Sequence, residues 1–149
     1  MIVVRFQPAN HSQLVDLLKE CDLPYNDIEP DAKHFFICKK DDEVIGCIGL
    51  ELYGEDALLR SLAVKEQFRN EGHAKRLVET LHAYAASLGV KHLYLFTTTA
   101  NKYFQKQGYS SISRENLPEA IKSSAEFSYL CPSSAMTMQK KIMTCIYNQ

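Results

Sequence analysis

Hydrophobic positions along this chain follow two different periods, and the places where one gives way to the other divide it into elements. Ile2 to Phe6 reads as a short strand. Beyond Pro8, Leu14, Leu17, Leu18 and Cys21 repeat at helical spacing, with Asn10 as the cap and Gln13 in the reciprocal position of a capping box. Residues 22 to 33 hold Pro24, Pro30 and several acids, which predicts a loop with one helical turn, placed to shape the entrance to a site. His34 to Cys38 and Glu43 to Leu52 are strand-like runs around a Lys39-Lys40-Asp41-Asp42 turn, and Gly54-Glu55-Asp56 makes a second turn before Ala57 to Val64. Three strands joined by such short loops predict an antiparallel meander.

After Val64 the helical period takes over. Ala74, Leu77, Val78, Leu81, Ala85 and Leu88 mark one face of a long amphipathic helix, and Gly89 supplies its left-handed C-cap. His92 to Thr97 is apolar almost throughout and suits a strand covered on both faces. A shorter helix follows, with Ala100, Tyr103 and Phe104 inward and Gly108 at its end, and then a strand from Tyr109 to Ser113. Pro118 opens a late helix backed by Ile121, Ala125 and Phe127; Cys131-Pro132-Ser133-Ser134 is a turn, and Met136, Met138 and Lys140 alternate along a last strand. The succession predicts an α/β (α+β) fold, a mixed and largely antiparallel sheet of six to seven strands flanked by helices.

Composition narrows the function classes. The 149 residues fit one domain, spanning 1–149, and 46% hydrophobic with 23% charged residues is globular rather than disordered. Net charge is -1 with the lysines and arginines dispersed, so neither nucleic acid nor a membrane surface is an expected partner, and small molecules are. Cys21, Cys38, Cys47, Cys131 and Cys145 are odd in number, widely spaced and without metal-ligand spacing, which predicts reduced thiols in a cytoplasmic protein and no metal. The N-terminus has none of the features of a leader.

The strongest chemical signal is a strand ending at Val64, the run Arg69-Asn70-Glu71-Gly72-His73-Ala74-Lys75, and a long helix. The first turn of a helix presents unpaired N–H groups and a positive dipole end, to which a phosphate or pyrophosphate can dock. Gly72 and Ala74 leave room for the anion, and Arg69 and Lys75 add positive charge; His73 is expected to point to solvent. The glycines do not match a nucleotide P-loop or a dinucleotide fingerprint.

With its surroundings, this run resembles the GNAT superfamily of acyl-CoA N-acyltransferases. Leu62-Ala63-Val64 with Arg69-x-x-Gly72-x-Ala74 is similar to that family's cofactor motif, and Ala100-x-x-Tyr103-Phe104-x-x-x-Gly108-Tyr109 to its second motif. The resemblance implies a splay between the fourth and fifth strands and acetyl-CoA as donor. It gives Leu62, Ala63 and Val64 the pantetheine arm and thioester, the loop from Arg69 to Lys75 the pyrophosphate, and Thr97, Ala100 and Phe104 the lining of the gap. More narrowly, the runs 57–64, 93–100 and 130–135 are similar to the arsenic-operon branch of the superfamily, which implies a link to arsenic resistance and is itself related to the acetyltransferase domain of N-acetylglutamate synthases.

An N-acetyltransferase of this kind would pass an acetyl group directly, in a ternary complex, to the amine of a small, amino-acid-like acceptor. A protein N-acetyltransferase and a non-catalytic acyl-CoA binding module are the alternatives. A backbone N–H in Leu62 to Val64 is the natural oxyanion donor. Many relatives place a tyrosine where this chain has Phe104, and the fourth strand has no carboxylate, so Glu51, Glu55 or a water chain are equal candidates for the base and the catalytic residues stay unassigned. Arg60 lies between Leu58 and Leu62 on an apolar strand and must be paired if buried. It either pairs with an internal acid such as Glu51 or Glu126, or holds an acceptor carboxylate. The apolar, methionine-bearing last strand is a candidate edge for a homodimer.

Overall fold

In the computed structural model, residues 1–130 and 132–142 are described. Cys131, read above as part of a turn, and Cys145, read as a reduced thiol, lie outside the described residues. The chain forms two compact units, Met1–Leu50 with Arg60–Tyr84, and Glu51–Leu59 with the chain from Ala85 onward. Among the described residues the strands are ordered β1 (Ile2–Arg5), β2 (Phe35–Lys40), β3 (Glu43–Tyr53), β4 (Asp56–Val64), β5 (His92–Thr97), β7 (Met136–Lys141) and β6 (Ser110–Ser111) in a seven-stranded sheet.

The first unit holds β1 (Ile2–Arg5), α1 (His11–Glu20), β2 (Phe35–Lys40), most of β3 (Glu43–Tyr53), the second half of β4 (Asp56–Val64) and most of α2 (His73–Ser87). Successive side chains of a strand point to opposite faces, and β2 uses both. Phe35 and Ile37 join Phe6, Leu14, Leu17 and Leu18 in a core beneath α1. Phe36 meets the Tyr84 ring edge-on at 5.1 Å, and Cys38 faces His73, both on α2. On β3, Cys47 belongs to the α1 core while the Cα of Gly46 backs onto Leu77 of α2. Covering on both faces explains why these strands read as continuous apolar runs. Gly49 has a different task. It pairs with Phe35, whose ring lies across it so closely that a Cβ there would fall 2.4 Å from a ring carbon.

The second unit holds β5 (His92–Thr97), α3 (Asn101–Lys106), β6 (Ser110–Ser111), α4 (Glu119–Lys122), one π-helical turn (Glu126–Leu130) and β7 (Met136–Lys141). Leu58, Tyr94, Leu117 and Ile121 form its core, with Tyr53, Phe96, Ile112 and Phe127 packed around them. β5 pairs with β7 antiparallel over six positions, from His92↔Lys141 to Thr97↔Met136. β4 and β5 run parallel and are in register only at Asp56↔His92, Ala57↔Leu93 and Leu58↔Tyr94. That short ladder is the expected splay between the fourth and fifth strands, and the sheet is mixed as expected. No helix among the described residues is long and apolar enough to cross a membrane.

Several local expectations change. Asn10 and Gln13 form no capping box. Asn10 Oδ1 accepts from the Gln7 N–H at 2.9 Å, and Gln13 instead clamps the β2–β3 turn, accepting from the Val44 N–H at 2.9 Å. The strand expected over Tyr109 to Ser113 shrinks to two residues, since the Tyr109 N–H is used by the Phe104 carbonyl at the end of α3 and Ser113 leads into a 3₁₀ turn. β7 is not the outermost strand, since the two-residue β6 pairs outside it at Ser110↔Gln139 and Ser111↔Met138.

Replacing Gly49 by Ala is expected to lower the unfolding free energy by about 1–3 kcal/mol, the usual cost of forcing a rigid core ring to move. Urea denaturation monitored by circular dichroism reads this as an earlier midpoint at unchanged slope.

Candidate active site

β4 breaks its own alternation. Arg60 stands over the Phe35 ring, 6.0 Å from its centroid, and Ala63 lies in the same α1 core as Phe35. Two residues three apart in a regular strand face opposite ways. Between them Ser61 takes φ 61°, a left-handed conformation that a serine adopts rarely, and so shifts the pleat by one residue. The bulge is held from two sides. Arg60 Nε donates to Ser61 Oγ at 3.0 Å, and the Cys47 thiol donates to the Ser61 carbonyl at 3.2 Å. Burial pushes the Cys47 thiol pKa well up, so that sulfur stays protonated and able to donate.

A peptide is planar and trans, so the Leu62 N–H points opposite to the Ser61 C=O, away from Cys47 and β3. Leu62 is half-buried, whereas Ala63 and Val64 are buried. Of the three residues expected to carry the thioester, Leu62 is the one whose amide the bulge re-aims. The signal for the bulge was the Arg60-Ser61 pair in an apolar strand, a break in pattern that periodicity counts as noise.

Beyond Val64 a 3₁₀ turn (Glu66–Phe68) leads to the glycine-bearing loop. Arg69 is anchored rather than free. Its Nε donates to the Val64 carbonyl at 2.9 Å and its Nη2 lies 3.6 Å from Cys21 Sγ, so the loop is tied to the end of β4 and the end of α1. Asn70 (φ 65°) and Gly72 (φ 86°) are both left-handed, a conformation their residue types tolerate. The Gly72 carbonyl accepts the Arg76 N–H at 3.1 Å, which starts the intrahelical bonding of α2. The N–H groups of His73, Ala74 and Lys75 therefore lie in the first turn, where a helix has no partner for them. A Cβ on Gly72 would meet nothing within 4 Å, so the space beside this residue is open. Ala74 is half-buried and Lys75 exposed.

His73 departs from expectation. Its ring is turned inward and is 6% exposed, with Nδ1 4.0 Å from Cys38 Sγ and Nε2 3.2 Å from Glu71 Oε1. It faces β2 instead of solvent because the first turn of α2 sits directly over that strand.

Arg60 is 4% exposed and grips Asp27 with both terminal nitrogens, at 2.5 and 2.8 Å. Asp27 was not singled out by the sequence, since it lies in the loop between α1 and β2, 33 positions away. Burial raises the Asp27 pKa, but the hydrogen bond and charge of Arg60 outweigh it and hold that carboxyl below the usual range. Ile28 follows into the α1 core, and its carbonyl pairs with His11 Nε2 at 2.8 Å. The loop expected to shape an entrance is therefore pinned at its middle.

In the second unit, the Thr97 hydroxyl accepts from the Ala100 N–H at 2.9 Å, and both residues are half-buried. Phe104 is buried, its ring edge-on to Tyr103 at 5.3 Å and to Tyr109 at 5.5 Å. Burial raises the Tyr109 pKa. Of the two carboxylates weighed as bases, Glu55 is a solvated ion pair with Lys91 at 3.0 Å, while Glu51 is half-buried and accepts the Tyr53 hydroxyl at 2.7 Å. His92 pairs with Asp56 at 3.5 Å, in keeping with a structural role.

Residues 4–109 match the model of the acetyltransferase (GNAT) family. The chain belongs to the GNAT acetyltransferase family. Over 90 residues it is 36% identical to an uncharacterized N-acetyltransferase of Chlorobaculum tepidum, covering 60% of this chain and 57% of that protein. Over 98 residues it is 31% identical to an amino-acid acetyltransferase of Vibrio cholerae, covering 64% of this chain and 22% of that one. This GNAT chain thus spans little more than half of the first relative and under a quarter of the second. In fold it is similar to N-acetylglutamate synthase of Neisseria gonorrhoeae in complex with coenzyme A and L-arginine, with TM-score 0.80 at 18% identity over 95% of this chain and 33% of that one.

Breaking the Arg60–Asp27 pair leaves a buried guanidinium short of a partner, so Asp27→Ala is expected to cost about 3 kcal/mol. The pH dependence has a definite sign. A carboxyl whose pKa is lowered by folding stabilises the protein above its unfolded value near ~3.9 and loses that contribution as pH falls through the folded value. Wild-type stability is expected to drop below about pH 4 more steeply than that of Asp27→Asn, measured by urea denaturation across pH 2–6.

Proposed function

We propose that residues 1–149 act as one N-acyltransferase domain that passes an acetyl group from acetyl-CoA to the amine of a small, amino-acid-like acceptor, directly and in a ternary complex. The observation that carries this reading is the turn of chain from β4 into α2. Two left-handed residues, Asn70 and Gly72, lead into the first turn of α2 beyond the strand whose bulge turns out the Leu62 N–H, and nothing packs within 4 Å of a Cβ at Gly72. A helix N-terminus favours a neighbouring anion by about 0.3–1 kcal/mol, up to about 2 where partly buried, and the loop adds the charges of Arg69 and Lys75. In this assignment the backbone of Arg69, Asn70, Glu71, Gly72, His73, Ala74 and Lys75 receives the pyrophosphate, and Leu62, Ala63 and Val64 the pantetheine arm. Thr97, Ala100 and Phe104 keep the donor role their motif implies.

The chemistry asks little of side chains. The amine attacks the thioester carbonyl carbon, the carbonyl oxygen becomes an oxyanion stabilised by the Leu62 N–H, and the C–S bond breaks as the amine proton is lost to a base. Phe104 offers no proton to the departing sulfur. A thiol with pKa near ~8.5 leaves as a thiolate without one, and orientation on a fixed donor supplies the rest of the acceleration.

An amino-acid-like acceptor is supported by the relation to amino-acid acetyltransferases, whereas the buried Arg60, weighed as its carboxylate partner, lends no support of its own. Its fork already holds a carboxylate, that of Asp27, so an acceptor carboxylate takes Arg60 only by replacing Asp27 there. The resemblance to the arsenic-operon branch adds arsenical amino-acid analogues to the acceptors worth offering.

Two measurements test this reading. Gly72→Glu puts bulk and negative charge into the open space beside residue 72, and is expected to weaken acetyl-CoA binding at least about tenfold, or about 1.4 kcal/mol, by calorimetry; unaltered affinity contradicts the donor assignment. Incubation with acetyl-CoA and a panel of amino acids, amines and arsenical analogues is expected to release free thiol with one acceptor class. Binding without turnover on every acceptor points instead to an acyl-CoA binding module.

A further inference from the structure

An acid in a loop that receives a pyrophosphate is a contradiction, and Glu71 is such an acid. It stands between the two left-handed residues Asn70 and Gly72, one position before the residue whose carbonyl starts α2. Its carboxylate is half exposed, at 50%, so a side chain of that length left to itself would sample the space in front of the helix N-terminus, drawn there by the helix dipole. It would then compete with the cofactor for the same N–H groups.

The structure gives that carboxylate a fixed partner. His73 Nε2 lies 3.2 Å from Glu71 Oε1, and the ring is itself fixed, buried at 6% exposure with Nδ1 4.0 Å from the Cys38 sulfur on β2. A carboxylate only accepts, so Nε2 is the nitrogen that carries a proton toward Glu71. Cys38 Sγ lies against the other ring nitrogen from the side of the sheet. The Cys38 contact is long even for sulfur, so burial does most to orient the ring, and the ring then orients the acid.

We propose that His73 is a positioning residue for donor binding, which holds the Glu71 carboxylate aside from the first turn of α2 so that the pyrophosphate of acetyl-CoA can occupy it. The inference rests on the assignment of that turn to the pyrophosphate. It makes Glu71 the reason His73 matters, and this separates it from a packing role: a buried ring that only fills space is missed equally whether residue 71 is an acid or an amide.

The test is a suppression experiment read by calorimetry with acetyl-CoA and with acetyl-pantetheine, which carries the thioester but no pyrophosphate. His73→Leu is expected to weaken acetyl-CoA binding about three- to tenfold, as one nearby like charge would, and to leave acetyl-pantetheine unaffected. Adding Glu71→Gln to His73→Leu is expected to restore acetyl-CoA affinity. His73→Gln, which keeps an N–H for Glu71, is expected to bind close to wild type and serves should the leucine variant fold poorly. The proposal is overturned if His73→Leu binds acetyl-CoA like wild type, if both donors weaken together, or if Glu71→Gln restores nothing. Gly72→Glu in the same series separates the two levels. Where it weakens acetyl-CoA and His73→Leu does not, this proposal fails and the donor assignment stands; where neither has an effect, the donor assignment itself fails.

Discussion

A single left-handed serine inside β4 sets what the first unit can do. Ser61 adopts φ 61° where a strand needs extended backbone, at a cost of about 1–2 kcal/mol for a side-chain-bearing residue. Such a conformation persists only when its surroundings fix it, and here Arg60 binds its hydroxyl while Cys47 binds its carbonyl. From that one residue two consequences follow in opposite directions. On the α1 side Arg60 remains over Phe35 and grips Asp27, which pins the loop between α1 and β2. On the other side the peptide plane turns the Leu62 N–H out of the strand.

The same strand ends by anchoring the loop after it. Arg69 donates to the Val64 carbonyl, so the last peptide of β4 and the chain leading to the first turn of α2 are joined by a side chain as well as by backbone. The Leu62 N–H and the helix N-terminus are therefore held from one end of one strand. A donor molecule with a thioester at one end and a pyrophosphate further along needs that sort of fixed spacing, because each flexible connection between its two anchor points would cost ordering entropy on binding.

Much of this was legible in the sequence, for identifiable reasons. Helix α2, its start after Gly72 and the apolar runs of β2, β3 and β5 are written in periodicity and residue type, and the motif around Arg69 and Ala74 led to the family. What stayed hidden depends on distance along the chain or on direction. Asp27 is 33 positions from Arg60, in a loop where any of several acids served equally well in the pattern. Gln13 sits where a capping box is expected and spends its side chain on Val44, because the β2–β3 turn lies within reach in space. His73 is a polar residue in a polar loop, and only the packing of α2 on β2 turns it inward. Ser61 has no periodic signature, and a bulge moves every later residue of β4 to the other face without changing the composition of the strand.

The proposed hold on acetyl-CoA, by backbone amides along β4 and the start of α2, is tested most directly by watching those amides. In a ¹⁵N-resolved NMR titration of the protein with acetyl-CoA, the amide signals of Leu62, Gly72, His73, Ala74 and Lys75 should shift together, with one saturation curve. Shifts confined to other residues, with these five stationary at saturation, contradict the account.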